Sequence, residues 1–94
     1  MFKTLEELIA IIRQRKDSSA EESYTKKLLK DKKLSVEKVK EDIAELIDAI
    51  EKNSNKVHEA ADVLYHLMVL LETNGIKIED VMDELKIRQN DKLA

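Results

Sequence analysis

A chain with no proline and a single glycine has few ways to reverse direction sharply. Strand-rich domains need many tight turns, and those turns draw on the residues that are scarce here. The sequence therefore predicts an all-α fold, a small bundle of four to five helices. The same scarcity closes off one kind of ligand site, because a loop that cradles phosphate on backbone N–H groups needs several glycines and only Gly75 is available. A phosphate ligand must then be held by side chains and metal. At 94 residues, the sequence reads as one domain spanning 1–94, too small to bury a large core. Oligomerisation is a common remedy, so a homodimer or higher homo-oligomer is expected.

The helices follow from hydrophobic spacing and end signals. Thr4-Leu5-Glu6-Glu7 has the form of a capping box, and Leu5, Leu8, Ile9 and Ile12 then recur at helical intervals up to the basic run from Arg13 to Lys16. Asp17 to Glu22 is small and polar and reads as a loop. Ser23 or Thr25 is placed to cap a short helix through Leu28 and Leu29. Ser35 is the expected N-cap of a third helix with one apolar stripe, Val36, Val39, Ile43, Leu46, Ile47 and Ile50, ending near Asn53. A fourth helix is predicted from Ser54 or Asn55 to about Thr73, with Asn74-Gly75 supplying a left-handed residue at its end. The last runs from about Ile78 to Arg88, leaving 89–94 as a frayed tail.

Several function classes drop out early. Without Cys, disulfides, thiolate metal sites and thiol catalysis are excluded, which fits a reducing compartment, and the cytoplasm is the expected location. Glu6, Glu7, Arg13 and Arg15 interrupt the apolar residues of the first segment, so no signal peptide or membrane span is expected there. A net charge of -3, with acids and bases interspersed and few aromatic rings, argues against a nucleic-acid surface.

The fourth helix carries the chemistry. Val57, Ala60, Ala61, Val63, Leu64 and the run Leu67 to Leu71 cover almost its whole circumference at roughly 100° per residue, the mark of a helix buried on nearly all sides. Against that background Glu59, Asp62 and His66 fall within about 60° of one another on one face. The third helix presents Glu41, Asp42, Glu45 and Asp48 within an arc of roughly 120°. Consecutive helices with a short connection pack antiparallel, so facing acidic edges would repel strongly unless a cation lay between them. All-oxygen ligation selects a hard ion, Mg²⁺ or alternatively Mn²⁺. Plainer readings exist for each group. Alone, the acids of the third helix read as a solvated face, His66 as a packed and hydrogen-bonded histidine, His58 as exposed, and Tyr65 as core. Lys26, Lys27, Lys30, Lys32 and Lys33 read as a solvated basic surface that is also the densest cationic supply for a polyphosphate.

Glu41-Asp42-x-x-Glu45 followed by Glu59-x-x-Asp62 resembles the two-part acidic motif, Glu-Glu-x-x-Glu then Glu-x-x-Asp, of the all-α nucleoside triphosphate pyrophosphohydrolases that include MazG proteins and dimeric dUTPases. Leu5-Glu6-Glu7-Leu8, Ser23-Tyr24-Thr25-Lys26-Lys27, Lys38-Val39 and Ala61-Asp62-Val63-Leu64-Tyr65-His66-Leu67 make the chain specifically similar to phosphoribosyl-ATP pyrophosphohydrolases over about residues 4 to 88. It departs from that pattern at Lys40, where the family usually has Gly, and at Asp42, where it usually has Glu.

The resemblance implies a MazG-like bundle that hydrolyses phosphoribosyl-ATP to phosphoribosyl-AMP and pyrophosphate in histidine biosynthesis. It implies Asp42, Glu45, Glu59 and Asp62 as metal ligands, with Glu41 and Glu45 as the carboxylates that orient or deprotonate water. Ser23, Tyr24, Thr25, Lys27 and Lys38 are the implied contacts to phosphate or ribose. The cyclohydrolase domain found in fused relatives is absent, so a stand-alone enzyme is expected. Two rival readings are a housecleaning pyrophosphohydrolase acting on free nucleoside triphosphates and a non-enzymatic helical module whose acids only solubilise it.

Overall fold

The computed structural model describes residues 1–17 and 23–91, and among them the chain forms five α-helices and no strand. They are α1 (Lys3–Asp17), α2 (Tyr24–Lys30), α3 (Lys32–Lys52), α4 (Lys56–Thr73) and α5 (Ile78–Asp91). The all-α class expected from the turn-poor sequence is what forms. Asn53 and Asn55, at φ 55° and 56°, make the tight connection that folds α4 back along α3. Asn tolerates this left-handed backbone better than most residues, which lets a chain without proline turn in three residues. Gly75, at φ 69°, plays the expected part after α4.

The helix ends differ from expectation where side chains have other work. Thr4 lies inside α1, whose first turn is closed by the Glu6 N–H donating to the Phe2 carbonyl at 3.2 Å, so the capping box does not form. Ser23 is the N-cap of α2, its Oγ accepting from the Lys26 N–H at 2.9 Å. The third helix starts before Ser35, because Asp31 caps it by accepting from the Leu34 N–H at 3.0 Å. Ser35 is instead buried in the helix, where its hydroxyl donates to the Leu28 carbonyl at 2.8 Å and ties α3 to the end of α2. α5 runs on through 89–91, which the sequence had placed in a frayed tail. Asp17 closes α1, and the rest of the predicted loop lies outside the described residues, as do 92–94.

The core is Ile12 of α1, Leu28 of α2 and Met68 and Val69 of α4, with Leu5, Leu8, Ile9 and Leu71 packed around it. Each of these side chains gains roughly 1.5–3 kcal/mol from full burial. α3 lies against α4 but not with the stripe expected of it. Val39 is buried, together with Ser35, Asp42 and Ala49, whereas Val36, Ile43, Ile47 and Ile50 are exposed. Small and polar residues face α4 because α4 presents polar groups of its own on that side. α4 itself is enclosed only toward its C-terminal half, and Val57 and Leu64 remain exposed.

α5 is anchored at its first turn, by Ile78 against the core and by an ion pair to α1. The Arg13 guanidinium grips Glu79 with two hydrogen bonds, of 2.9 and 2.7 Å, and reaches Glu72 of α4 at 3.4 Å. The hydrogen bonds from Arg13 hold the Glu79 carboxyl down to about 2, from an ordinary 4.5. Folding therefore favours ionised Glu79. Its stabilisation is complete above about pH 4.5 and is lost as the pH falls toward 2. Glu79→Gln is expected to flatten that acid limb in thermal melts taken between those two pH values. An unchanged limb would show that the pair contributes nothing to holding α5.

Candidate functional site

The α3–α4 hairpin brings the two acidic sets together. Partial loss of solvent, followed by repulsion from Glu59, Asp42, Glu41 and Asp62, pushes the Glu45 carboxyl above the ordinary carboxylate range. Acids of both helices thus act on Glu45. Glu59 is half-buried, and its Oε1 is enclosed without a hydrogen-bond partner. An ionised oxygen in that state is costly, and such an atom calls for a cation or a donor to complete it. Next to it, His58, Glu59 and Asp62 offer ligand atoms that all lie within 4.8 Å of one another. The donors are carboxylate oxygens with one imidazole at the margin, a set that suits a hard divalent ion. Glu45 and Glu59 also border a cavity of about 370 Å³ that extends past Asp48 and Lys52 to the interhelical turn.

The implied ligands do not all sit alike. Glu59 and Asp62 come together on α4, and Glu45 of α3 shares a cavity wall with Glu59. Asp42 is almost wholly buried, and its Oδ2 takes a short hydrogen bond from His66 Nδ1. Glu41 is exposed at the rim, with Lys38 Nζ 4.0 Å away, so the cation expected to meet phosphate is shared with a carboxylate.

The Ser23-Tyr24-Thr25 segment is held by protein partners. Ser23 caps α2, the Tyr24 hydroxyl lies 2.8 Å from His66 Nε2, and Thr25 Oγ1 lies 2.5 Å from the Tyr65 hydroxyl. Tyr24 and Tyr65 stack with centroids 6.3 Å apart, and Tyr65 meets the His66 ring edge-on at 4.9 Å. Burial first, then the fields of Tyr65, Asp42, Glu41 and Asp62, push the Tyr24 phenol up. Tyr24 therefore stands at the rim of the acidic region. Lys27 is exposed on the same short helix.

Two residues were undervalued from sequence. His58 is exposed as expected, but its Nε2 lies 3.5 Å from Asp62 Oδ2, and the i, i+4 spacing of His58-Glu59-x-x-Asp62 was the available signal. His66 is packed and hydrogen-bonded as expected. No periodicity could have revealed that its partners are Asp42 and Tyr24, which come from two other helices.

A family model described as phosphoribosyl-ATP pyrophosphohydrolase matches residues 5–89. The histidine biosynthesis bifunctional protein HisIE of Pyrococcus furiosus is 43% identical over 86 residues, covering 90% of this chain and 41% of that protein. The chain thus spans less than half the length of that bifunctional relative. A phosphoribosyl-ATP pyrophosphatase of Methylobacterium nodulans is 46% identical over 92 residues, covering 90% of this chain and 82% of the relative. One from Metallosphaera sedula is 44% identical over 91 residues, covering 94% and 98%.

The unpartnered Glu59 oxygen has a consequence for stability. Glu59→Gln removes the charge but keeps the shape, so in chelator the variant is expected to be more stable than the unaltered protein, by roughly 1 kcal/mol. Urea unfolding with EDTA measures it. A less stable variant would mean that the ionised oxygen is already satisfied.

Proposed function

Because this chain belongs to the phosphoribosyl-ATP pyrophosphohydrolase family, we propose that it hydrolyses phosphoribosyl-ATP to phosphoribosyl-AMP and pyrophosphate, a step of histidine biosynthesis, and that Mg²⁺, or Mn²⁺ in its place, assists at the α3–α4 acidic edge. The observation that carries the reading is the unpartnered, enclosed Glu59 oxygen in a cluster with Asp62 and His58. Glu45, Glu59 and Asp62 would hold the ion, joined by Asp42 through the oxygen that does not face His66. When bound, it supplies positive charge for the pyrophosphate leaving group and a lowered pKa for water.

The chain's own residues account for the remaining requirements. Water adds to the α phosphorus, the bond from that phosphorus to the bridging oxygen breaks, and pyrophosphate departs. Glu41, exposed at the rim, would orient that water and take its proton. Glu45 is the second candidate base, since partial loss of solvent and then the neighbouring anions raise its proton affinity. Lys27 and Lys38 supply charge for phosphate oxygens at the open side. Pyrophosphate release from phosphoribosyl-ATP, with Mg²⁺ and with chelator, tests the activity, and free nucleoside triphosphates test the substrate. Glu59→Gln and Asp62→Asn are each expected to lower kcat by roughly 100-fold or more. Unchanged activity at saturating Mg²⁺ would remove both residues from the metal site.

The active form in this reading is a homodimer in the cytoplasm. Among the described residues Val36, Ile43, Ile47 and Ile50 leave a partly exposed apolar stripe on α3, and Val57 and Leu64 add exposed apolar surface on α4. A second copy of the chain is the occupant that fits a small domain with so little enclosed core. Among the described residues no helix is long and apolar enough to cross a membrane, so the stripe is not read as a span. Ile43→Glu combined with Ile47→Glu is expected to give a monomer by light scattering, where the unaltered chain gives a dimer. A variant with the same mass as the parent would place the interface elsewhere.

A further inference from the structure

His58 has no part in the reaction as proposed, yet it stands among groups that the reaction needs. It lies in the first turn of α4, with its Nε2 3.5 Å from Asp62 Oδ2. A hydrogen bond from a ring nitrogen usually spans roughly 2.7–3.2 Å, so the two atoms face one another without being joined by one. The side chain is 71% exposed, and among the described residues it has no other partner. The ligand atoms of His58, Glu59 and Asp62 lie within 4.8 Å of one another. Two ligands of one divalent ion stand about 3 to 4.4 Å apart, and rotation of the exposed ring covers the difference.

Glu59 lacks a partner from its own chain. Its Oε1 is enclosed and unpartnered, and Lys52, the cation among the residues lining the adjoining cavity, is paired with Asp48 at 3.1 Å. The charge of Glu59 therefore calls for a cation from outside.

We propose that His58 is a ligand of the ion at the α3–α4 edge, alongside Glu59 and Asp62, and that its nitrogen makes the site favour Mn²⁺ over Mg²⁺. The inference rests on the proposed function and deepens it by naming the ion. Mg²⁺ keeps a shell of carboxylate, phosphate and water oxygens and gains little from an imidazole. Mn²⁺ is a transition ion, for which a ring nitrogen is a better donor than the water it displaces. The carboxylates of Glu45, Glu59 and Asp62 serve both ions alike, so discrimination falls to the one nitrogen.

Titration calorimetry of the whole chain with Mn²⁺ alone and with Mg²⁺ alone reads the preference, and the electron spin echo of bound Mn²⁺ reads the nitrogen. The unaltered chain is expected to bind Mn²⁺ more tightly than Mg²⁺ and to show the coupling of a directly bound nitrogen. His58→Gln keeps a helix-forming polar side chain at an exposed position, so its melting temperature in chelator should be unchanged. It is expected to lose the coupling and to bind Mn²⁺ roughly tenfold more weakly, with Mg²⁺ binding within about twofold. A coupling that survives in His58→Gln would assign the nitrogen to His66, the other histidine of the chain, and would overturn the proposal. Mn²⁺ bound by the unaltered chain without the coupling would overturn it too, as would an equal loss for both ions, the mark of a charge effect. No binding of either ion by the unaltered chain, by contrast, would defeat the metal assignment in the proposed function and this inference with it.

Discussion

Carboxylates carried by two helices that are joined through only three residues lie close to one another, and partial loss of solvent, then repulsion from Glu59 and Asp42, raises the Glu45 carboxyl above its ordinary range. That crowding is an unfavourable interaction that the rest of the fold must hold in place. It persists because α4 is fixed from its other end and side, where Met68 and Val69 pack with Ile12 and Leu28. Apolar burial is not directional, so it can press α4 home without regard to the charges it brings together. The site is in this sense strained electrostatically by a core that lies mostly beyond it. A divalent cation would turn the same crowding into ligation, which is the economy of building a metal site from repelling groups.

α2 is the shortest helix and makes the most specific contacts. Leu28 is fully enclosed, and its carbonyl accepts from Ser35 of α3, with the Thr73 hydroxyl of α4 at 3.4 Å. At the other end, Tyr24 and Thr25 meet His66 and Tyr65 of α4. A seven-residue helix is too short to be stable alone, so its geometry is set by these tertiary contacts. Hydrogen bonds of this kind add little net stability but penalise, most of all at the buried Ser35 hydroxyl, any arrangement that leaves them unmade. They give α2 one register against the acidic edge, and with it one position for the Tyr24 hydroxyl.

The helices were legible in the sequence because they depend on regular spacing. Glu59 and Asp62 at i, i+3 among apolar neighbours predicted a shared face, and the absence of proline with one glycine predicted the class. Helix starts were less legible. Ser35 and Asp31 are both good caps, and the choice went to Asp31 because the Ser35 hydroxyl is used by the Leu28 carbonyl, a tertiary contact that local pattern does not encode. The stripe on α3 misled for a related reason. Periodicity shows that Val36, Ile43, Ile47 and Ile50 share a face, but not whether that face meets this chain or another. The Tyr24–His66–Asp42 contacts were beyond reach, since they join residues from three helices and follow no repeat. Sequence similarity recognised the motifs without explaining why they pair.

The misread stripe bears on the site itself. Asp42 and Ile43 are adjacent on α3, one almost wholly buried toward α4 and the other exposed on the opposite flank. A helix between a repelling acidic edge on one flank and open solvent on the other resists moving outward through buried Val39 and Ala49 and the hydrogen bonds of Ser35 and Asp42. Apolar contact along Val36, Ile43, Ile47 and Ile50 would add to that resistance from outside. If the chain pairs along that stripe and holds an ion as proposed, association and metal affinity would be linked through the position of one helix, because the same displacement that separates Glu45 from Glu59 would also loosen the outer contact. The exposed apolar face is in this account the counterpart of the acidic one, and neither is fully explained within a single chain.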